Sequence, residues 1–335
     1  MADFAALTLS IALTYGQTAP VLHLPVDCVL GETCFIQKHV DHDPSEGRLD
    51  YQCGNLTTDG HNGVDFRLRG VPDLEDSVPV IAAASGRVVR IRGGVPDRNV
   101  RLTNPQGMVE RQAGNAVVVD HGDGWETQYN HLQLGSLTVV PGDKVETGDV
   151  LGRIGMSGNA EFPHIDFAVR KDGQTVDPFL GQVQSATTSI KCDGDHPSTD
   201  GALWAADVLS ALDYRSSGIL QIGVTTSSEA ALHAYLAPFP STTLTTAVPA
   251  LVVWINAFGV KAGDVERFTL TGPNGDIVHD SQSKVKKGGL SWRSYSGKRR
   301  PKEGWTPGSY RVRYVVLRNG LVLDSATTSV EITGP

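Results

Sequence analysis

The fold is decided by residues 115–129, which read NAVVVDHGDGWETQY. An apolar run leads into the pair Asp123-Gly124 and a second run returns after it, and an Asp-Gly pair between two such runs is a strong β-hairpin signal. Glycines divide the surrounding sequence, residues 78–176, into further short runs with no helical period. This half of the chain is therefore predicted to form an antiparallel β structure.

The sequence pattern changes after residue 178. Residues 203–214 and 228–236 have the composition of short helices, and alternation of apolar and polar residues returns from residue 250. Strands at short, regular spacing are typical of an immunoglobulin-like β-sandwich. We predict a mostly β protein made of an antiparallel β domain (20–200), a linker with short helices (201–245) and an immunoglobulin-like sandwich (246–335).

Charge and the N-terminal segment limit the classes of function. The chain has 335 residues and a net charge of -8, so it offers no basic surface and nucleic acid is not expected as a partner. Residues 1–19 are apolar, rich in small residues and too short to span a bilayer, which is typical of a secretory signal peptide. A buried N-terminal strand is the alternative, because no Lys or Arg precedes the apolar run. We expect no integral membrane span and a periplasmic or secreted bacterial protein.

Four cysteines suit disulfide bonds in an oxidising compartment. Cys28, Cys34 and Cys53 precede the first group of candidate site residues, and Cys192 follows the last group. Three pairings are possible in principle. We expect one bond to join the end of the domain to its beginning, and the favoured pairs are Cys34–Cys53 and Cys28–Cys192. A cysteine-rich zinc site is disfavoured, because no C-x-x-C spacing occurs.

Histidines and aspartates occur in three separated segments of the β-rich region. His61 and Asp65 lie four residues apart, a spacing that places both side chains on one face of a strand. His164 and Asp166 share a strand face in the same way, and His131 stands in a third segment. Imidazole and carboxylate groups are normal protein ligands of zinc. The three segments together therefore predict a metal site.

The order of these motifs resembles the lysostaphin/LytM-type zinc metallopeptidases. The resemblance consists of H-x-x-x-D from His61, a strand-borne histidine in Tyr129-Asn130-His131-Leu132, and P-H-x-D-F at residues 163–167. It covers residues 60–178. It implies a compact antiparallel, duplicated-hybrid-motif-like β fold and the hydrolysis of peptide bonds in bacterial peptidoglycan.

The resemblance also implies a role for each site residue. His61 and Asp65 match the first two metal ligands, and Asp166 takes the place of the third ligand, which is usually a histidine in this family. His131 and His164 match the two catalytic histidines beside the activated water, where an imidazole suits proton transfer. The implied cofactor is one Zn²⁺ ion per chain, and two carboxylate ligands shift the preference towards Mn²⁺ or a similar ion.

The aspartate at position 166 leaves a second function open. Family members that have lost ligands act as binding or activating modules, so the alternative is a non-catalytic wall-binding or hydrolase-activating module with the same fold. The expected partners are peptidoglycan peptides, and the C-terminal sandwich offers a surface for a protein partner. His39 and His42 are expected in a solvated loop near the groove rather than at the metal.

Overall fold

The structure, a computed structural model, describes residues 19–75, 77–100, 112–187, 189–193, 196–236 and 242–334. The chain is mostly β with largely antiparallel sheets, and the predicted fold class is confirmed. The predicted signal peptide lies outside the described residues, apart from Ala19. Within the described ranges, no helix is both long enough and apolar enough to cross a membrane.

The N-terminal unit is built around one sheet that carries the candidate site. Its strands are β1 (Cys34–Lys38), β2 (Val64–Leu68), β3 (Pro79–Ile81), β4 (Gly86–Arg92), β5 (Asn115–Gly122), β6 (Trp125–Leu132), β7 (Lys144–Val145), β8 (Val150–Arg153), β9 (His164–Lys171), β10 (Gln174–Asp177) and β11 (Gln182–Val183), with a 3-10 helix at Val71–Leu74. The main sheet has the order β1-β2-β9-β6-β5-β4-β7; β10 pairs with β9 and β11, and β3 pairs with β8. Strand β9 therefore lies between β2 and β6, and these three strands carry most of the site residues.

The central hairpin forms where the sequence predicted it. Strands β5 and β6 are joined at Asp123 and Gly124, whose φ angles of 48° and 78° are positive. Aspartate tolerates this conformation and glycine adopts it without steric cost. Behind the hairpin, the rings of Tyr129 and Phe167 are fully buried, with centroids 5.4 Å apart. Burying one such aromatic side chain stabilises the fold by about 2–3 kcal/mol, so the site residues stand on a well-packed sheet.

The C-terminal unit contains two sheets around one shared core. Its elements are β12 (Gly218–Thr225), α2 (Ser228–His233), a 3-10 helix (Ala234–Leu236), β13 (Thr243–Thr245), β14 (Ala250–Phe258), β15 (Val265–Thr271), β16 (Ile277–Lys284), β17 (Trp292–Arg299), β18 (Gly308–Arg318) and β19 (Leu321–Thr333). The short helix α1 (Ala206–Ala211) precedes them and packs against the core of the N-terminal unit. The sheet orders are β12-β14-β17 and β13-β19-β18-β15-β16. Val253 of the first sheet and Tyr314 of the second belong to the same buried cluster, which is the arrangement of a β-sandwich.

The segment predicted as a linker also contains two strands, β12 and β13, and β13 pairs with β19. Residues 201–245 contain the two short helices, but they also contain β12, which pairs with β14. The sequence of β12, GILQIGVT, includes two glycines, and glycine inside a strand weakens the pattern by which a strand is recognised. The sandwich therefore includes residues that precede position 246.

Both predicted disulfide pairs are wrong. The bonds join Cys28 to Cys34 and Cys53 to Cys192, with Cα–Cα distances of 6.1 and 5.8 Å. A tight turn explains the first bond, because Gly31 adopts a φ of 83° and the chain folds back so that Cys34 lies beside Cys28. The expectation that one bond joins the end of the domain to its beginning is met by Cys53–Cys192. That bond spans 139 residues, and closing such a loop stabilises the fold by about 5 kcal/mol in the chain-entropy model.

The two units contact each other beside strand β1. Phe35 of β1 and Leu56 pack against Leu220 and Phe258 of the sandwich in a small apolar cluster. The rings of Phe35 and Phe258 meet edge to face with centroids 6.4 Å apart. This contact brings the loop that precedes β17 next to the candidate site.

Candidate metal centre

Three of the predicted site residues converge on one point. His61, Asp65 and Asp166 each offer a ligand atom, and these atoms lie within 4.8 Å of one another. Asp65 on β2 and Asp166 on β9 are brought together by strand pairing. His61 lies just before β2, where its Nε2 is 3.2 Å from Asp65 Oδ1. The cluster has the dimensions of a site for a single cation.

Gly63 allows Asp166 to reach this point. A Cβ atom on Gly63 would lie 1.9 Å from Asp166 Oδ1 and 2.9 Å from the carbonyl oxygen of Phe167. A larger residue at position 63 would therefore displace the carboxylate or the strand behind it. Close approach of a neighbouring group is one of the recurrent reasons for a glycine next to a strand.

The converging atoms are buried and have unused bonding capacity. His61 Nε2, both oxygens of Asp65 and Asp166 Oδ1 are shielded from solvent and make no hydrogen bond of suitable geometry, although Asp65 keeps ion-pair contacts. Buried carboxylates are costly unless they are paired or coordinate a metal. One imidazole and two carboxylates form a donor set that zinc accepts, and oxygen donors also suit Mn²⁺. A divalent cation therefore fits these residues.

Lys38 also reaches the site, although no motif marks it. It is the last residue of β1, and a bulge after Ile36 aligns it with Asp65, so that its Nζ lies 2.6 Å from Asp65 Oδ2. Burial alone would lower the pKa of Lys38, but the charge and hydrogen bond of Asp65, together with the charges of Asp166 and Glu161, raise it. Burial likewise would raise the pKa of Asp65, yet the charges of Lys38, His61 and His164 hold that pKa well below its ordinary value. Sequence reasoning missed Lys38 because its position depends on the pairing of β1 with β2.

His131 and His164 lie side by side in the same groove, with ring centroids 4.5 Å apart. Nδ1 of His131 lies 2.7 Å from the carbonyl oxygen of Ser157, and Nδ1 of His164 lies 2.9 Å from that of Phe162. A carbonyl only accepts, so each Nδ1 carries the proton and each Nε2 is a free base. Burial lowers the pKa of His131, and it lowers the pKa of His164 to about 3. Both rings are therefore neutral at physiological pH.

A distortion of the backbone sets the direction of the His131 side chain. Its φ of 62° lies in the left-handed region, which few residues other than glycine adopt. The residue lies where the register between β5 and β6 shifts, between the pairs Asn115–Leu132 and Val117–Tyr129. Bulges next to functional sites commonly redirect a side chain, and here the bulge turns the imidazole towards Ser157.

A chain of polar side chains holds Asp166 on its other side. Asn130 Nδ2 donates to Asp166 Oδ2 at 2.9 Å, and Gln128 Nε2 donates to Asn130 Oδ1 at 2.6 Å. Arg170 in turn donates to Gln128 Oε1 at 2.7 Å. Partners of this kind orient metal ligands, and Asn130 fixes one carboxylate oxygen while Oδ1 faces the cluster. Asn130 was not among the predicted site residues, although its place directly before His131 on β6 is a usable signal.

His39 and His42 do not lie in a solvated loop, so that expectation is wrong. They are 2% and 5% exposed. His39 packs against three aromatic rings, those of Tyr51, Phe179 and Tyr214. His42 Nε2 lies 2.6 Å from the buried carboxylate of Asp177. Aromatic packing of His39 and a buried hydrogen bond of His42, which the polar sequence context conceals, explain why both histidines are inside.

Solved structures resemble this chain at low sequence identity. The catalytic domain of the prophage-encoded M23 protein EnpA from Enterococcus faecalis matches with a TM-score of 0.31 and 21% identity, over 48% of this chain and 94% of that chain. The catalytic domain of the antimicrobial peptidase lysostaphin from Staphylococcus simulans matches with a TM-score of 0.27 and 23% identity, over 42% of this chain and 85% of that chain.

Curated relatives also match only part of the chain. The chain is 28% identical over 131 residues to the peptidoglycan DD-endopeptidase ShyA of Vibrio cholerae, covering 39% of this chain and 25% of that protein. It is 38% identical over 65 residues to the DD-carboxypeptidase/endopeptidase Mpg of Neisseria meningitidis, covering 19% of this chain and 14% of that protein. The matched region thus spans a quarter or less of the length of these relatives. Residues 59–178 of the 335-residue chain match the family model described as Peptidase family M23.

Proposed function

We propose that this protein is a metal-dependent endopeptidase that hydrolyses peptide bonds in bacterial peptidoglycan, in the periplasm or outside the cell. The observation that carries the proposal is the convergence of buried, unsatisfied ligand atoms from His61, Asp65 and Asp166 beside two neutral histidines. The similarity to a peptidoglycan DD-endopeptidase supports the substrate class. Two disulfide bonds support an oxidising compartment.

The proposed cofactor is one Zn²⁺ ion per chain, held by His61, Asp65 and Asp166, with Mn²⁺ or a similar ion as a substitute. In this assignment Asp166 replaces the third histidine of the lysostaphin/LytM-type site. Bound zinc supplies Lewis acidity, which activates water at neutral pH and polarises a carbonyl group. Asn130 keeps Asp166 in the orientation that presents Oδ1 to the cluster.

His131 and His164 supply the proton transfers. Each presents a free Nε2, because its Nδ1 is engaged with a backbone carbonyl. One Nε2 accepts a proton from the attacking water, and the imidazolium that forms then donates a hydrogen bond to the developing oxyanion and a proton to the leaving amine. Both rings must be neutral for the first step, which agrees with the lowered pKa of each.

The test is hydrolysis of isolated peptidoglycan. Protein supplied with Zn²⁺ or Mn²⁺ is expected to release soluble peptide fragments, and His131→Ala should reduce the rate at least about 100-fold while the metal content stays the same. His121→Ala is the matched control, since His121 contacts Ser85 and Thr127 and does not line the groove. Turnover by His131→Ala at the rate of the unmodified protein would contradict the proposal.

One observation favours a second function. The ammonium of Lys38 already compensates the charge of Asp65 at 2.6 Å, so the fold has an internal cation where a peptidase needs a metal. This arrangement suits a non-catalytic wall-binding or hydrolase-activating module. Metal analysis of protein purified without chelator separates the two functions. One ion per chain supports the peptidase, whereas a folded, metal-free protein that binds peptidoglycan supports the module.

A further inference from the structure

The groove at the candidate metal centre is lined by both units of the protein. It has a volume of about 880 Å³, which is ample for a peptide segment. The N-terminal unit contributes the site residues, and the sandwich contributes Lys287, Gly288, Gly289, Leu290, Ser291 and Arg293. We call residues 287–293, the last two of which begin β17, the wall loop. No motif of the peptidase domain includes this loop, because it lies more than 100 residues after the end of the family match at residue 178.

The wall loop is fixed to the peptidase domain by a buried polar contact. Gln37 Nε2 donates to the carbonyl oxygen of Leu290 at 2.7 Å, and Gln37 Oε1 accepts from Arg67 at 2.5 Å. Gln37 is completely buried and Arg67 is 2% exposed. A buried amide that bonds on both sides is costly to disrupt. The loop is therefore held beside β1 and β2, the strands that carry Lys38 and Asp65.

The wall loop is also fixed to the sandwich itself. Gly289 N donates to the carbonyl oxygen of Val260 at 2.8 Å. A Cβ atom on Gly288 would lie 2.1 Å from that same oxygen, so close packing of the two backbones requires glycine there. The apolar cluster around Phe35 and Phe258 joins the units beneath this point. The wall loop is thus a supported surface rather than an independent flap.

The sandwich contributes positive charge to the groove and no acidic group among the described lining residues. Among the described lining residues, the sandwich contributes Lys287 and Arg293 as its charged groups, and both are exposed cations. Arg293 is held with its guanidinium 4.1 Å from the ring centre of Tyr235, which limits its freedom. The peptidase domain contributes acidic groups, which are Asp59, Asp65, Glu161 and Asp166, together with the cations Lys38 and Arg170. A ligand that extends from the metal centre to the wall loop therefore meets positive charge at its far end.

We propose that the sandwich forms one wall of the substrate groove and that Lys287 and Arg293 bind a free carboxylate of the peptide whose bond lies at the metal centre. This inference rests on the proposed function, because that function places the cleaved bond of the peptide at the metal centre and so sets the direction of the peptide in the groove. A guanidinium pairs with a carboxylate through two parallel hydrogen bonds, and a lysine adds a second positive charge. The favoured substrate is thus an acidic peptide, and amidation of its carboxylates should weaken recognition.

The experiment compares a cross-linked stem-peptide dimer with free carboxylates against the same dimer with those carboxylates amidated. The full-length protein is expected to have the lower KM for the free acid. Lys287→Ala combined with Arg293→Ala should raise that KM roughly tenfold, with kcat and the KM for the amidated dimer unchanged. Lys286→Ala is the matched control, because Lys286 is an exposed neighbour that does not line the groove.

A binding measurement separates failure of this inference from failure of the proposed function. Calorimetry on the His131→Ala protein keeps the peptide intact, and it should show tighter binding of the free acid than of the amidated form. That preference supports the inference even if the unmodified protein hydrolyses nothing, in which case the proposed function alone fails. Equal affinity for the two forms, or an equal loss of affinity in Lys286→Ala, would overturn the inference whether or not hydrolysis occurs.

Discussion

Asp65 and Asp166 stand directly opposite each other on β2 and β9, so that two acidic side chains share one cross-strand position. Like charges in this arrangement destabilise a sheet, and Asp65 is completely buried. The pair persists because positive or proton-bearing groups surround it. Lys38 Nζ lies 2.6 Å and His61 Nε2 lies 3.2 Å from the oxygens of Asp65. A cation at this position therefore relieves a repulsion that the fold itself creates.

Metal binding is expected to stabilise the folded protein. At a Zn²⁺ concentration 100 times its Kd, the free energy of unfolding should rise by about 2.7 kcal/mol. Asp166→Asn keeps the side-chain shape but removes the charge, so most of this increase should disappear. Thermal unfolding with and without Zn²⁺ measures the effect, and Asp207→Asn, at an exposed position on α1, serves as the control. An increase that is the same in Asp166→Asn would exclude this residue as a ligand.

Lys38→Met should have opposite effects on the metal-free and the metal-bound protein. Without metal, loss of the ammonium leaves Asp65 with less compensation, and the free energy of unfolding should fall by about 3 kcal/mol. In the metal-bound Lys38→Met protein, no ammonium competes with the metal ion for Asp65. The Kd for the metal ion should therefore be lower. Chemical unfolding and metal titration calorimetry provide the two values, with Lys144→Met at an exposed position as the control. A higher Kd in Lys38→Met would show that the lysine assists the metal instead.

Gly63→Ala should weaken the metal centre without unfolding the protein. The added Cβ meets Asp166 Oδ1 at 1.9 Å, so the carboxylate must move away from His61 and Asp65. We expect destabilisation of about 1–3 kcal/mol and at least a tenfold higher metal Kd. Gly93→Ala is the control, because a Cβ there makes only an ordinary contact of 3.5 Å with Leu137. Unchanged metal affinity in Gly63→Ala would place Asp166 outside the ligand set.

The pH dependence of stability should include a contribution from His39. Burial lowers the pKa of His39 from its ordinary value of 6.5 to about 4. Between pH 6.5 and about 4, His39 is therefore protonated in the unfolded chain but neutral in the folded chain. The free energy of unfolding falls as the pH decreases through this interval. His39→Phe removes this titration, so urea unfolding should show a shallower loss of stability over that pH interval. An unchanged slope would contradict the assignment.

Local sequence patterns were enough to predict the elements that carry the site. The Asp123-Gly124 turn predicted the β5–β6 hairpin, because the turn conformation follows from residue type alone. The spacing of His61 and Asp65 placed two ligand atoms near each other, and strand pairing then added Asp166. These features depend on short-range geometry or on the order of motifs, which a sequence displays directly.

Features that depend on long-range packing were missed. Lys38 enters the site through a register shift between β1 and β2, and Asn130 contacts Asp166 across two paired strands. The wall loop reaches the groove only because the two units pack together around Phe35. The disulfide partner of Cys28 depended on the turn at Gly31. Apart from Asn130, which directly precedes His131 on β6, none of these residues has a periodicity or a spacing that marks it in the chain.

The bond between Cys53 and Cys192 encloses the segment that contains His61, Asp65, His131, His164 and Asp166. A protease that cuts one exposed loop inside this segment would produce two fragments that remain covalently attached through sulfur. Such nicked molecules would migrate as intact protein on a gel without reductant and would separate only after reduction. The same linkage keeps the segments that carry the candidate metal ligands together after cleavage.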